Sequence, residues 1–280
     1  MRKSRILPNF LWVGVAKAAS TWIYDCLQEH PEVFLPPHRS EVHFFDRNYH
    51  KGIDFYKSFY KKYKHQRAVG DITPSYIQEP KIASLIASHL PHAKILICLR
   101  NPVDRFFSDY LHLARIGQID LTFDEYSKHP QHLNKSLYYP KVKKYFELFS
   151  EKQILIVIFE RIKNNEKNFL QEIYRFLEVD EHFMPQNIYN QSNRYVNPRN
   201  IRFYRKVMGI LTRLRHRHNR ILDFFIESIK KTGLKKALVK EESPPEMDGQ
   251  KRKALAEFFK EDVEKLSQLT RINFHQYWNI

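Results

Sequence analysis

Short apolar runs alternate with stretches of helical periodicity along the first two thirds of the chain. Residues 10–15, Phe-Leu-Trp-Val-Gly-Val, form the first such run and suit a buried parallel strand. A helix is predicted next, capped by Ser20 or Thr21, with Trp22, Ile23, Cys26 and Leu27 on one face and an end near His30-Pro31. Residues 52–63 predict a helix anchored by Phe55, Tyr56, Phe59 and Tyr60. Residues 68–71 predict a second strand, closed by the turn Thr73-Pro74-Ser75. An amphipathic helix is expected over 81–90, halted by Pro91. Residues 94–99 are the clearest buried strand, and Asn101-Pro102 starts a helix with proline near its first turn. Residues 139–149 read as helix, 153–159 as another buried strand, and a further helix runs through Phe169 to Phe176.

Strands and helices alternating at this spacing imply an α/β fold with a parallel sheet covered on both faces. Past residue 180 no further strand is predicted. Residues 200–229 and 249–269 read as helices separated by Ser243-Pro244-Pro245. The expected organisation is a single domain over 1–280, with an α/β core at 9–180 and a helical, basic extension at 194–280. A domain of this length buries roughly 75% of the surface of its unfolded chain, so a proper core is feasible. Seven glycines argue against a loop-rich design.

Cys26 and Cys98 each sit in an apolar run and read as buried thiols, which fits a reducing compartment. The basic N-terminal residues lead into an apolar stretch too short for a signal peptide, and no run of about 18 apolar residues exists. A soluble, cytoplasmic protein is therefore expected.

Charge changes this picture in one place. The chain carries 47 Lys and Arg against 31 Asp and Glu, a net of +16. Residues 194–240 hold 14 of the bases against only Asp223 and Glu227, so +12 of that excess lies there. Ile201, Tyr204, Val207, Met208, Ile210, Leu211 and Leu214 form an apolar stripe within the block. Three readings compete: a solvated face packed on the core, a basic amphipathic helix at an anionic membrane surface, or an attractor for an anionic glycan or lipid acceptor.

Candidate chemistry lies at two strand ends. The loop Gly14-Val-Ala-Lys17-Ala18-Ala19-Ser20-Thr21 joins a strand to a helix. A helix N-terminus there offers N–H groups and a positive dipole end, and Lys17 adds a full charge. It is not a Walker A loop, since the second glycine is missing and Lys17 does not directly precede Ser or Thr. The plainer alternative is a capped helix beside a surface lysine. The second element runs from Arg100 to Ser108. Arg100 follows a buried strand, and Ser108 lies two turns into the next helix. Arginine suits phosphate oxygens, whereas the plainer alternative pairs Arg100 with Asp104 or Asp71.

Taken together, the two elements suit a ligand with phosphates at two separated positions. The Lys17–Thr21 loop resembles the 5′-phosphosulfate loop of the PAPS-dependent sulfotransferases, and Arg100 through Ser108 resembles their 3′-phosphate motif. Ser40-Glu41-Val-His43-Phe-Phe-Asp46, residues 49–56, and Asp71-Ile-Thr73-Pro74-Ser-Tyr76 are similar to the heparan-sulfate N-/3-O-sulfotransferase branch. Ser136-Leu-Tyr138-Tyr-Pro140 and the strand near Ile154 continue the match, which covers about residues 9–180 in order and spacing. Two departures stand out: Ala16 where the family usually has Pro, and Ala19 where it usually has Gly.

The resemblance implies a P-loop-like three-layer fold and a sulfotransferase that moves a sulfuryl group from PAPS to a hydroxyl or amine of a carbohydrate or lipid-linked acceptor. It implies donor binding by Lys17, Ala18, Ala19, Ser20, Thr21, Arg100 and Ser108, with Ser192 and Arg194 in a loop closing over the nucleotide. It implies catalysis by Lys17 and Glu41, with His43 as the competing base. Asp71 reads either as a residue positioning Lys17 or Arg100 or as half of a structural salt bridge. The partners implied are the nucleotide donor and an anionic glycan or lipid acceptor, with peripheral membrane contact and no specific nucleic acid. No metal is required. Two rivals stay open: an ATP-dependent small-molecule kinase, and a non-enzymatic basic protein binding nucleic acid.

Overall fold

The structure, a computed structural model, describes residues 6–37, 41–189, 196–198, 239–241 and 243–280. Among them, β1 (Phe10–Gly14), β2 (Val33–Phe34), β3 (Ala68–Ile72), β4 (Lys94–Leu99) and β5 (Ile154–Ile158) form one parallel sheet in the order β2-β3-β1-β4-β5. Every residue of β1 and β3 is buried, which is why these strands read as continuous apolar runs rather than as alternation. Register pairs Trp12 with Ile72 on one side and with Leu96 on the other. The carboxyl ends of β3, β1 and β4 therefore lie side by side. Strand order reverses at β1/β4, the switch point where open α/β sheets bind ligands.

Among the described residues the helices are α1 (Ser20–Glu29), α2 (Ile53–Lys57), α3 (Pro80–His89), α4 (Pro102–Ile116), α5 (Phe123–Ser127), α6 (Pro130–Leu133), α7 (Tyr139–Leu148), α8 (Glu166–Leu177) and α9 (Gly249–Thr270). The expected helix over 52–63 is shorter: α2 tightens into a 3₁₀ turn at Ser58–Tyr60. The expected C-terminal helix is present as α9, while the one expected over 200–229 lies outside the described residues. None of the described helices is long and apolar enough to cross a membrane.

Contacts divide the chain into two units. The first, Met1–Arg105, Lys135–Ser192 and Lys253–Ile280, contains the whole parallel sheet. Cys26 and Cys98 are both buried there as free thiols, as expected, and burial pushes the Cys26 thiol up to about 12. The second unit is Phe106–Asn134 and Asn193–Arg252. It holds an aromatic cluster in which Tyr126 stacks on His132 at 4.0 Å and donates to Asp109 Oδ2 at 3.2 Å. It also contains an antiparallel pair, β6 (Val196–Pro198) and β7 (Val239–Glu241). That pair corrects the expectation of no strands beyond residue 180. Three residues are too few to show a period of two, and Pro198 argues against a strand in any local reading.

Gly70 sits mid-strand in β3, where a Cβ would fall within the van der Waals reach of the Phe10 ring and 2.6 Å from Leu35 Cδ2. Both neighbours are buried in the core and cannot yield without repacking. Gly70→Ala is expected to lower stability by about 1–3 kcal/mol, read as a reduced urea midpoint with an unchanged slope.

Candidate active site

The loop after β1 is set by backbone conformation more than by capping side chains. Lys17 has φ 72° and Ala19 has φ 62°, both in the left-handed region. Ala19, not Ser20 or Thr21, is the N-cap of α1, and no side chain caps the helix. This corrects the expected cap. The first amide to bond back is that of Ile23, to the Ala19 carbonyl at 3.0 Å. The N–H groups of Ser20, Thr21 and Trp22 are left without intrahelical acceptors. Ala18 is fully buried, while Lys17, Ala19, Ser20 and Thr21 are half-buried. Amides without intrahelical acceptors thus lie at the positive end of a helix dipole, in a loop that also carries Lys17, Ser20 and Thr21, a composition that suits an anion.

Arg100, at the end of β4, adjoins this loop. Its Nη1 donates to the Lys17 carbonyl at 2.9 Å, and its guanidinium lies over the Phe159 ring at 4.6 Å. Neither plainer alternative, a pair with Asp104 or with Asp71, describes this contact. Burial pulls the Arg100 pKa down, against the opposing charges of Asp104 and Glu160. Behind Arg100, Asn101 caps α4: its Oδ1 accepts from the Val103 and Asp104 amides at 2.9 and 3.4 Å. Ser108 is half-buried on α4, within the second unit. Ser192 and Arg194 lie outside the described residues.

The segment between β2 and α2, joined by Ser75 from the turn after β3, carries the second group of candidate residues. His43 bridges two carboxylates, with Nε2 2.8 Å from Glu41 Oε2 and Nδ1 2.8 Å from Asp46 Oδ2. Ser75 Oγ donates to the same Asp46 oxygen at 2.8 Å. Burial works against the His43 charge, but the two carboxylates outweigh it and push its pKa up to about 9. Asp46 is held below the usual carboxylate range: burial opposes its charge, and the bonds from His43 and Ser75 prevail. At neutral pH His43 is therefore an imidazolium clamped between carboxylates. Glu41 keeps 42% of its side chain exposed, so it remains open to an incoming group.

Asp71 does neither thing expected of it. Its oxygens accept from Tyr56 at 2.8 Å, Tyr76 at 3.0 Å and Thr73 at 2.7 Å, in a fully buried cluster. Burial pushes Asp71 up to about 6 in spite of those three bonds. The Tyr76 hydroxyl in turn accepts from the Phe44 amide at 2.9 Å. Asp71 therefore reaches the turn that carries Glu41, His43 and Asp46, rather than Lys17 or Arg100. The same 73–78 segment leans on the loop base, because Pro74 and Ile77 fill the space where a Gly14 Cβ would stand. Sequence reasoning missed Ser75, Tyr56 and Tyr76 as parts of the site. The three-residue spacing of Asp46 from His43 is the signal in the sequence that points to its role.

Residues 7–206 match the family model described as the sulfotransferase domain. A 107-residue stretch is 35% identical to the membrane-associated sulfotransferase kil1 of Dictyostelium discoideum, covering 37% of this chain and 22% of that protein. Over 195 residues the chain is 30% identical to the bifunctional heparan sulfate N-deacetylase/N-sulfotransferase 2 of Homo sapiens, covering 62% of this chain and 22% of that protein. The chain thus spans about a quarter of the length of the curated relatives it matches. A solved sulfotransferase from Alicyclobacillus acidocaldarius has the same fold, with a TM-score of 0.69 at 24% identity over 96% of this chain and 97% of that one.

Two outcomes follow from the geometry. A left-handed alanine costs about 1 kcal/mol or more, and glycine is also the better N-cap. Ala19→Gly is therefore expected to raise stability by up to about 1 kcal/mol, read as a higher denaturation midpoint, where glycine in a helix interior lowers it. For His43 the folded pKa of about 9 exceeds the unfolded value of about 6.5. The folded state thus holds the extra proton, and the stabilisation is full below about pH 6.5 and lost as pH rises through about 9. The stability gap between the native protein and His43→Gln, measured by urea titration at pH 6 and pH 9.5, should shrink at the higher pH.

Proposed function

The chain belongs to the sulfotransferase domain family, and we propose that it moves a sulfuryl group from PAPS to a hydroxyl or amine on a carbohydrate or lipid-linked acceptor. The observation that carries this reading is the bond from Arg100 to the Lys17 carbonyl. It couples two anion-binding loops on adjacent strand ends, which a donor with separated phosphates requires and a single-phosphate site does not. The residues present fit such a donor: a cluster of α1 amides, the Lys17 ammonium and the Arg100 guanidinium. Ser192 and Arg194 are assigned to closure over the nucleotide.

When bound, the donor supplies an activated sulfuryl group and departs as adenosine 3′,5′-bisphosphate. Lys17 and the first amides of α1 stabilise the charge that grows on the leaving side. Glu41 takes the proton from the acceptor hydroxyl or amine as the new bond to sulfur forms. The His43 imidazolium orients Glu41 through Nε2 while Asp46 and Ser75 fix the ring through Nδ1. The cluster Asp71-Tyr76 holds the turn that presents Glu41.

Relatives named for heparan sulfate N- and 3-O-sulfation support a glycan acceptor. The basic block at 194–240 supports an anionic one by charge complementarity. The same block, with a membrane-associated relative, supports peripheral contact with an anionic membrane surface at the cytoplasmic side.

Transfer of labelled sulfate from PAPS to a panel of desulfated glycans tests this reading. Lys17→Ala is expected to abolish measurable turnover, a loss of roughly 10²–10³-fold or more. Glu41→Gln is expected to lower kcat by roughly 10²–10⁴-fold while adenosine 3′,5′-bisphosphate binds as in the native protein. Full activity in Glu41→Gln would remove that residue as the base.

A further inference from the structure

Within the first unit, the last residues of the chain reach the peptide that carries Arg100. Trp278 is buried at 1% exposure, and its indole Nε1 donates to Glu160 Oε2 at 2.9 Å. The other oxygen of Glu160 accepts from the Asn101 amide at 2.8 Å. On the far side of the same peptide unit, the Arg100 carbonyl accepts from the Tyr138 hydroxyl at 2.8 Å. Tyr138 is itself held by α9, because Asp262 accepts from the Tyr138 and Tyr139 amides at 2.6 and 3.1 Å. The Trp278 ring, stacked on Phe274 at 4.5 Å, lies 6.2 Å from the Tyr138 ring.

A peptide unit is planar, so holding its C=O and its N–H at opposite ends prevents it from turning about the Cα–Cα axis. The direction in which Arg100 leaves the main chain is then set before any ligand arrives. Both groups that grip this unit, Tyr138 and Glu160, depend on residues from the C-terminal end of the chain. Glu160 is also within electrostatic reach of Arg100. Its Oε2 is occupied by the indole N–H, which keeps that oxygen from competing with an anion for the guanidinium.

We propose that the C-terminal segment, through Asp262 and Trp278, is a brace that positions Arg100 for the phosphate of the donor nucleotide. These two are positioning residues and touch no substrate. The inference rests on the donor reading of the site given above.

The test uses Trp278→Phe in the full chain, which keeps a buried ring and removes the N–H. The expected result is a rise of about five- to tenfold in the Kd for adenosine 3′,5′-bisphosphate, the net worth of one typical hydrogen bond. KM for PAPS should rise in step, with kcat at saturating donor unchanged within twofold. In an Arg100→Ala background the same substitution should have no further effect on Kd, since a brace acts only through the residue it positions. Hydrogen exchange at the Asn101 amide should accelerate in Trp278→Phe with no nucleotide present. Unchanged Kd and unchanged Asn101 exchange overturn the brace, as does an equal loss of affinity with and without Arg100. If Trp278→Phe does not fold, Tyr138→Phe removes the opposite grip and carries the same expectations. Failure of the native protein itself to bind the bisphosphate would instead remove the donor reading, an outcome visible before any variant is made.

Discussion

A guanidinium donating to a backbone carbonyl links the two loops on which the site depends. The bond from Arg100 to the Lys17 carbonyl joins the end of β4 to the loop after β1, across the point where strand order reverses. The Arg100 guanidinium occupies the Lys17 carbonyl, while the neighbouring amides of α1 have no intrahelical acceptors. Among the described residues, the bond draws on one of the five guanidinium donors. Everything around it serves to keep it in register: the Asn101 cap on α4, the stacked Phe159 ring, and the hydrogen bonds at both ends of the 100–101 peptide.

The turn that carries Glu41 is organised by burial instead of by a single contact. Asp71 sits fully buried beneath Tyr56, Tyr76 and Thr73, and the hydroxyl of Tyr76 fixes the main chain at Phe44. That leaves the Glu41–Asp46 turn with His43 in a left-handed conformation and its ring between two carboxylates. Taking charges out of water is costly unless they are paired, and the histidine pairs with two carboxylates at once. The more buried partner, Asp46, has its charge consumed by His43 and Ser75. The exposed partner, Glu41, faces outward. The division of labour between two similar carboxyl groups thus follows from exposure and hydrogen bonding, not from chemical type.

Much of the frame was legible in the residues. β1, β3 and nearly all of β4 are buried on both faces, so their apolar runs stand out without any need for alternation, and the half-buried β5 is apolar throughout. Lys17 and Arg100 were visible because each follows such a run directly. The N-cap was misplaced because Ser and Thr are the usual caps, whereas Ala19 takes the position through its φ of 62°, which composition does not reveal. β2 has two residues and β6 and β7 three each, below the length at which any period shows. Glu160 and Trp278 are 118 positions apart, and nothing local to either one points to the other. A carboxylate beside two cationic loops suggests an ion pair, but Asp71 is taken by Tyr56 and Tyr76, 15 and 5 positions away, and composition does not say which neighbour wins.

The most direct measurement of the central claim is calorimetric titration of the native protein with adenosine 3′,5′-bisphosphate and, separately, with ATP and magnesium. A two-phosphate site built on Lys17 and Arg100 should bind the bisphosphate, and Arg100→Ala should weaken it by tenfold or more, the loss of a charged hydrogen-bonding partner. Binding of ATP alone, or bisphosphate affinity indifferent to Arg100, would contradict it.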